Sequence, residues 1–432
     1  MLERYFQLSA HGTTVKTEIV AGFTTFLTMA YIMFVNPAIL SDAGMDRGAV
    51  FVATCIGTAI GTLIMGLYAN YPLALAPGMG LNAYFTYGVV KGMHYSWEVA
   101  LGAVLISGVL FLILSVLRLR EWIVDAIPTS LKMAISAGIG LFLGIIALHN
   151  AGIVAGSPDT LVTLGDVKTP SVILAVCGFL GIVALDAKRI PGAIIISVLA
   201  VTAIGIGLGI SPFGGIVSAP PSLAPTFLKL DLKGALDAGL IAIVFAFFFV
   251  DLFDNTGTLV GVAHRAGLID KDGKIPRLGR VFIADSTATI CGSLLGTTTV
   301  TSYIESAAGV RAGGRTGLVG VVVAILFLLS LFFSPLAGSV AAYATAPALL
   351  YVACLMARGL AEIDWEDPTE YAPAVITAIA MPLTYSIATG IAFGFIAYAA
   401  VKLLAGRWSQ VSPALAILAL LFLVRFAVLG ST

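Results

Sequence analysis

Long runs of apolar residues, separated by short polar stretches, extend along the whole chain of 432 residues. The stretches without any Asp, Glu, Lys or Arg are 19–41, 48–90, 99–117, 316–357, 371–401 and 408–424. Each holds one or two segments of about 20 residues, the length that a helix needs to cross a membrane. This pattern predicts an all-α polytopic membrane protein with about fourteen spanning or half-spanning segments.

The composition supports a membrane protein. Hydrophobic residues make up 59% and charged residues 11% of the chain, and the mean hydropathy is +1.04. A soluble domain has roughly 25% charged residues. The formal net charge is +0, which gives no reason to expect nucleic acid as a partner. The four cysteines are dispersed in apolar segments, which indicates small core residues, and neither a metal nor a cofactor is predicted.

Lys and Arg residues are distributed unequally between the two predicted sides of the membrane. If the N-terminus is inside, fifteen of them fall on the inner side and seven on the outer side, with Arg425 inside the last span. Inner loops carry the excess of positive charge. The bias predicts a plasma membrane protein (the inner membrane in bacteria) with both termini in the cytoplasm.

The second half of the chain resembles the first. Residues 50–66, "VFVATCIGTAIGTLIMG", resemble residues 281–296, and residues 75–90 align with residues 296–311. We count seven spans before Lys229 and seven after it. A repeat with an odd number of spans enters the membrane from opposite sides, so the pattern predicts an inverted repeat, as in secondary transporters.

The matched segments 3 and 10 are predicted to be discontinuous, each a short extended stretch followed by a half-helix. Pro77 favours an extended conformation at the residue before it, and Gly78 and Gly80 disfavour regular helix. In the second copy, "TTTVT" (297–301) is the extended part and residues 302–310 are the half-helix. Exposed backbone at this depth is tolerated only where it lines a cavity. Two ordinary glycine-containing helices are the alternative.

Carboxylates lie near the predicted centre of the membrane. We place Glu305 about one turn into the second half-helix, where exposure to lipid would cost several kcal/mol, so a cavity is the better explanation. A structural ion pair is the alternative. Asp251 lies near the middle of the span 238–263, and Asp254 and Asn255 share its helix face at i+3 and i+4. Asp254 has either a transport role or a structural one.

Asn82 occupies the first half-helix, and its amide has the donor and acceptor needed to bind a nucleobase edge. Capping of a helix end is the alternative role. Thr24 and Thr28 either face the cavity or pack between helices. The histidines lie in loops or at span ends, and no paired Ser/His set is present, so neither a histidine relay nor an enzyme is predicted. Further candidates for substrate contact or for the cavity lining are Leu81, Tyr303, Ile304 and Gly80.

Three stretches resemble signatures of the hypoxanthine–adenine–guanine permeases, a branch of the nucleobase–cation symporter-2 and nucleobase–ascorbate transporter group. They are "APGMGLNAYFTYG" (76–88), "FFFVDLFDNTGTLVGVAHRAGL" (247–268) and "TTTVTSYIESAAGVRAGGRTGL" (297–318). The resemblance covers nearly the whole chain and implies a uracil-permease-like fold of fourteen segments. It implies a core domain from residues 1–120 and 233–336, and a gate domain from residues 121–232 and 337–432.

The resemblance also implies the function. It assigns substrate binding to Asp251, Glu305 and Asn82, and transport to Asp254, with Glu305, Asp251 and Asp254 as candidates for carrying the coupling proton. Uracil and xanthine carriers have a glutamate where this chain has Asp251, and the shorter side chain favours a bulkier purine. The expected function is uptake of guanine, hypoxanthine or adenine with a proton, and relatives are often homodimers. An anion transporter on the same fold, or a uracil or xanthine carrier, is the alternative.

Overall fold

The structure is a computed structural model that describes residues 2–117, 127–236, 241–265 and 276–429. Within these ranges it is mostly helical. The helices of the first half are α1 (Leu2–Phe6), α2 (Val15–Met29), α3 (Ile32–Ser41), α4 (Arg47–Ile64), α5 (Met79–Ala83), α6 (Trp97–Val116), α7 (Thr129–Asn150), α8 (Pro170–Ala187), α9 (Ala193–Gly207) and α10 (Leu232–Ala235).

The helices of the second half are α11 (Ile241–Arg265), α12 (Leu278–Leu295), α13 (Ser306–Arg311), α14 (Leu318–Ser330), α15 (Ser334–Ser339), α16 (Ala342–Ala357), α17 (Pro368–Thr384), α18 (Ile387–Leu404) and α19 (Pro413–Leu429). Helix α4 continues into a π-helical turn at Met65–Ala69, and α5 continues into one at Tyr84–Gly92. Short 3-10 turns occupy Leu331–Phe333, Arg358–Glu362 and Trp408–Gln410.

In the described ranges, nine helical segments are long and apolar enough to cross a membrane. Several helices begin at a polar side chain that accepts a main-chain N–H, as Thr14 does for α2, Asp46 for α4 and Ser96 for α6. Such caps replace one of the hydrogen bonds that the first turn of a helix lacks. The polytopic helical fold is therefore as predicted, while the number of fourteen segments stays a prediction.

Two short strands confirm the discontinuous segments. Strand β1 (Leu75–Pro77) pairs in antiparallel register with β4 (Val300–Ser302), and Ala76 lies opposite Thr301. Each strand is followed by a short helix, α5 after β1 and α13 after β4. A separate hairpin of β2 (Val154–Ser157) and β3 (Leu161–Leu164) follows α7.

Helix packing repeats between the two halves. Helix α7 packs against α16 and α17, and α16 packs in turn against α7 and α8. Likewise α12 packs against α6, while α4 packs against α14. With the two halves exchanged, the pair α7–α17 thus corresponds to the pair α16–α8, and α12–α6 corresponds to α4–α14. Matching contacts of this kind are what an inverted repeat predicts.

The contacts divide most helices into two groups. One group, called here the strand bundle, contains β1, β4, α2–α6 and α11–α14. The other, called the flanking bundle, contains α7–α9 and α16–α18. The division between helices follows the predicted core and gate segments, whose residue boundaries and roles stay predictions.

The charge-free run 371–401 contains Pro373 and Pro382, so the sequence does not give segment 13 a clear position. In the structure the run contains most of α17 and most of α18. These helices form an antiparallel hairpin that turns at Tyr385, whose φ is +50°. The turn brings Lys402 and Arg407 back to Asp367, and Ser130 at the start of α7 contacts neighbouring Glu370. The charge count in the sequence places Lys132, at the start of α7, on the inner side and Lys402 and Arg407 on the outer side. The structure puts all three at one end, so this part of the count is wrong, while the orientation of the protein stays a prediction.

Candidate functional site

The strand pair is built so that its backbone polar groups are satisfied. Gly78 donates its N–H to the carbonyl of Thr299 at 2.9 Å, and Tyr303 donates reciprocally to Ala74 at 2.9 Å. The Thr62 hydroxyl of α4 lies 3.0 Å from both the N and the O of Leu75. Extended backbone is stable at membrane depth only when such partners replace water. The two half-helices thus begin from a shared pair of strands whose backbone is hydrogen-bonded at Leu75, Gly78 and Tyr303.

Glu305 lies at the residue immediately before α13. The sequence had placed it one turn into the half-helix. The difference arises because Val300–Ser302 is a strand and Tyr303 begins a turn, accepting the N–H of Ser306 at 3.1 Å. A carboxylate at a helix N-terminus is favoured by the positive end of the helix dipole.

The Glu305 side chain has a defined partner. The Tyr31 hydroxyl, between α2 and α3, donates a hydrogen bond of 2.6 Å to Glu305 Oε1. Thr28 Oγ1 lies 3.5 Å from the main-chain oxygen of Glu305. Glu305 is therefore held against the first span of the chain by a phenol, and no ion pair with it is found among the described residues.

A cavity of about 220 Å³ opens beside Glu305, at the boundary of the two bundles. Thr28, Glu305 and Arg311 line it from the strand bundle, and Asp186, Tyr351 and Arg358 line it from the flanking bundle. The Tyr351 hydroxyl donates to Asp186 Oδ2 at 2.6 Å. Glu305 thus faces a polar cavity, as the sequence predicted.

Asn82 is fully buried inside α5. Its Oδ1 accepts a hydrogen bond from the Thr298 hydroxyl, whereas its Nδ2 has no partner among the described residues. Gly78, rather than Asn82, precedes the helix, so the geometry does not support a capping role. A buried amide donor without a protein partner is available to a polar ligand.

Asp251 and Asn255 are buried on α11. They follow Phe247 at i+4 and i+8, so the three side chains share one face. The Phe247 ring contacts the Tyr84 ring edge-on, with centroids 5.1 Å apart, so this face is turned toward the first half-helix. Both amide atoms of Asn255 lack a partner among the described residues. The Asp254 side chain lies outside the described part of the structure.

The strand β4 adds two more polar groups of this kind. The hydroxyls of Thr301 and Ser302 are buried and have no partner in the described ranges. Buried hydroxyls and amides are nearly always hydrogen-bonded in folded proteins, through protein or water. Their concentration on β4, α5 and α11 therefore marks the place where this bundle can hydrogen-bond a small polar molecule.

The remaining candidates have different surroundings. Leu81 is fully buried, and the Tyr303 hydroxyl donates to the carbonyl of Pro77 at 2.5 Å, which is a role in the fold. Ile304 is 46% exposed and lines the cavity beside Glu305. Thr24 donates back to the carbonyl of Val20, and only Thr28 of the two threonines lines the cavity.

Gly80 allows the first half-helix to approach the flanking bundle. A Cβ at this position would lie 2.4 Å from Ile139 of α7, closer than any real contact. The sequence suggested a cavity-lining role, whereas the structure shows close packing between the two bundles.

Some residues of the site were not predicted. Tyr31, Thr298, Asp186 and Tyr351 are distant in sequence from the side chains that they contact, and each is a common residue of membrane spans or their ends. The position of Asp186 at the end of an apolar run is the only sequence signal among them.

Two half-helices that begin at a central strand pair, with buried polar groups beside them, define a secondary transporter of inverted-repeat design. The model of the Permease family, the xanthine/uracil permeases, matches residues 16–393. The chain belongs to this family, in its purine permease branch, and the resemblance found in the sequence is confirmed.

The chain is similar to several permeases over nearly its whole length. It is 57% identical to the putative permease MJ0326 of Methanocaldococcus jannaschii, covering 99% of each chain. It is 49% identical to the adenine permease AdeP of Escherichia coli, covering 98% of this chain and 96% of that one. It is 44% identical to the guanine/hypoxanthine permease PbuG of Bacillus subtilis, covering 98% and 99%.

Among solved structures, the fold is similar to the transmembrane domain of the cyanobacterial bicarbonate transporter BicA. The TM-score is 0.66 at 16% identity, over 87% of this chain and 96% of that one. At this identity the likeness establishes the fold alone. The chain is therefore a multi-pass membrane transporter with this fold, rather than an enzyme.

Proposed function

We propose that the protein imports purine nucleobases by proton symport. The observation that carries the proposal is the set of buried hydrogen-bonding groups around the two half-helices. Asn82 and Asn255 have amide atoms without a partner in the described part of the chain, and Glu305 is held at the helix start by Tyr31. The similarity to an adenine permease and a guanine/hypoxanthine permease supports a purine as the ligand.

A purine edge presents ring N–H donors beside ring nitrogen and carbonyl acceptors. Carboxylates accept hydrogen bonds and amides both donate and accept. Glu305 and Asp251 would accept the purine N–H groups, while Asn82 Nδ2 would donate to a ring nitrogen or carbonyl. The purine would satisfy the Asn82 Nδ2 donor, which has no other partner among the described residues, and this favours binding over an empty site.

Glu305, Asp251 and Asp254 are the proposed carriers of the coupling proton. A carboxylate in the membrane interior is expensive as a charge, so neutralisation by a proton makes movement across the membrane easier. The proton would bind from the outside together with the purine and leave on the inside. No cofactor other than this ion is required by the proposal.

Transport would follow from movement of the core domain (residues 1–120 and 233–336) against the gate domain (residues 121–232 and 337–432). The cavity beside Glu305 lies between the two bundles, which is where such a movement would open or close access. We further propose the plasma membrane as the location, cytoplasmic termini and a homodimer, as the sequence predicts.

The likeness to BicA makes an anion transporter the second candidate. Carriers of sulfate or bicarbonate need a site that attracts negative charge. Asp251 and Glu305 repel an anion, and the purine permease relatives are far more similar in sequence than BicA is. Asp251, shorter than a glutamate, also favours a purine over uracil.

The test is uptake of labelled adenine, guanine, hypoxanthine, xanthine and uracil into proteoliposomes, with and without an inward acid gradient. We expect purines to accumulate only with the gradient, and Glu305→Gln to lose this accumulation. The matched control is Glu366→Gln, at an exposed carboxylate near the start of α17. Wild-type accumulation by Glu305→Gln, or bicarbonate flux that purines do not compete with, would contradict the proposal.

A further inference from the structure

The cavity between the two bundles contains a second carboxylate. Asp186 lines it from the end of α8, and Glu305 lines it from the start of α13. Glu305 belongs to the strand bundle and Asp186 to the flanking bundle. Among the described residues that line this cavity, these two are the only acids.

The cavity leads from Glu305 toward the surface of the membrane. Helices α8, α13 and α16 end at Ala187, Arg311 and Ala357, close to the lining residues Asp186, Arg311 and Arg358. From Glu305 to Arg311 the helix rises about 9 Å, at ~1.5 Å per residue. Asp186 therefore lies at the outlet of the cavity, whereas Glu305 lies at its inner end.

We propose that Asp186 receives the proton that Glu305 releases on the inner side, an inference that rests on the proton symport proposed above. The Glu305 carboxylic acid would lose its proton to water in the cavity. The hydronium formed would give that proton to Asp186 Oδ1, and Asp186 would release it to the cytoplasm. A cavity of about 220 Å³ has space for several waters, since one occupies roughly 30 Å³ in the liquid.

The contacts of Asp186 suit this step. The Tyr351 hydroxyl donates to Oδ2 at 2.6 Å, which orients the carboxylate and leaves Oδ1 for the incoming proton. The charged groups facing the cavity are Glu305 and Arg311 from α13, and Arg358 from the end of α16. With two carboxylates and two guanidinium groups the cavity is balanced in charge.

The proposal predicts a separation between two kinds of transport. Net uptake driven by an acid gradient requires the carrier to release its proton inside in every cycle. Exchange of external for internal purine at equal pH does not, because the carrier returns with its proton and a new purine bound. Removal of the Asp186 carboxylate should therefore slow gradient-driven uptake and leave purine exchange at equal pH unchanged.

The experiment measures both processes in proteoliposomes for the wild type and four variants. Asp186→Asn removes the carboxylate and keeps its size, and Asp186→Glu keeps the acid. Tyr351→Phe removes the hydrogen bond that joins α8 to α16 but leaves the carboxylate in place. Asp159→Asn, at an exposed position in the turn between β2 and β3, is the matched control.

We expect Asp186→Asn to lower gradient-driven uptake by about tenfold or more, the scale of a lost proton-transfer group, with exchange close to wild type. Asp186→Glu should recover most of the uptake. Tyr351→Phe, which loses the orienting hydrogen bond but keeps the acid, should lower uptake less than Asp186→Asn, and Asp159→Asn should retain both activities. The relay is overturned if Asp186→Asn leaves uptake unchanged. It is also overturned if uptake and exchange fall together in Asp186→Asn and Tyr351→Phe, since the pair would then be structural. If purine uptake by the wild-type protein does not depend on the acid gradient, the proton symport is overturned, and the relay with it.

Discussion

Replacement of Gly309 by alanine should displace the half-helix that carries the site. Gly309 is the fourth residue of α13, which packs against α2. A Cβ there would lie 2.1 Å from Thr25 Oγ1 and 2.7 Å from the main-chain oxygen of Ala21. The hydroxyl can be moved by a change of rotamer, whereas the carbonyl belongs to a helix backbone. The backbone contact therefore decides the size of the effect.

The displacement can be estimated from these distances. Ordinary contact begins at 3.4 Å, so α13 must retreat from Ala21 by the difference from 2.7 Å, about 0.7 Å. If α13 moves along the direction of the hydrogen bond from Tyr31 to Glu305, this bond lengthens from 2.6 Å to about 3.3 Å. That distance is beyond the usual range for two oxygens. Such overpacking costs about 1–3 kcal/mol in stability. A misplacement of ~1 Å at a reacting group can lower a rate by up to 10²-fold.

The assay is the initial rate of labelled purine uptake into proteoliposomes, with thermal unfolding in detergent measured on the same preparation. We expect Gly309→Ala to lower the rate by about tenfold or more. Gly279→Ala is the control, because a Cβ there meets nothing within 4 Å. Adding Thr25→Ala to Gly309→Ala removes the closer clash but should leave the rate low, because the Ala21 carbonyl still meets the new Cβ. A Gly309→Ala protein that transports and unfolds like the wild type would refute the reasoning.

Three further predictions concern polar contacts between helices elsewhere in the protein. Lys402 is fully buried, with its Nζ 2.5 Å from Glu370 Oε1, so Lys402→Met should cost about 3 kcal/mol, the lower end for a broken buried pair. The melting temperatures of this variant, Glu370→Gln and the double variant should show less than additive losses, and full additivity would disprove the coupling. Hydrogen bonds from Thr369, and then from an arginine, lower the pKa of Asp367 to about 2. The carboxylate therefore stabilises the fold above its unfolded pKa of about 3.9 and loses this effect as the pH falls to about 2. Asp367→Asn should accordingly melt below the wild type at pH 6, and a difference that stays undiminished when the pH falls to about 2 would contradict this. Asn36 Nδ2 donates to two threonine hydroxyls at 2.7 and 2.9 Å, so Asn36→Ala should lower stability by about 2 kcal/mol, and an unchanged melting temperature would count against it.

The broken segments could be predicted from local chemistry. Pro77 and its flanking glycines disfavour helix, and the run of β-branched residues at 297–301 favours extended backbone. The structure has strands at Leu75–Pro77 and Val300–Ser302, within a few residues of those stretches. The repeat strengthened this prediction. Each segment alone gives only weak evidence for a broken helix, but the two occupy matching positions in the two halves.

Contacts between distant parts of the chain could not be predicted. The sequence gives no sign that β1 and β4 pair. This pairing delays the start of α13 to Ser306 and leaves Glu305 immediately before it. The bond from Tyr31 to Glu305 joins residues 274 apart. The sequence predicts the side of the membrane on which Lys402 lies only from its position between apolar runs. A turn at Tyr385, where positive φ is rare for such a residue, instead brings Lys402 back to Asp367.

Pairing of the two strands has a consequence for biosynthesis. Ala76 meets its partner Thr301 only after 225 more residues have been made, which takes on the order of 10–45 seconds at about 5–20 residues per second. Until then, the nascent first repeat holds an incomplete strand in the bilayer, with Thr62 as its nearest bonding neighbour. A ribosome that stalls before residue 300 would leave a chain whose first half cannot mature alone, and such a chain is a natural target for membrane quality control.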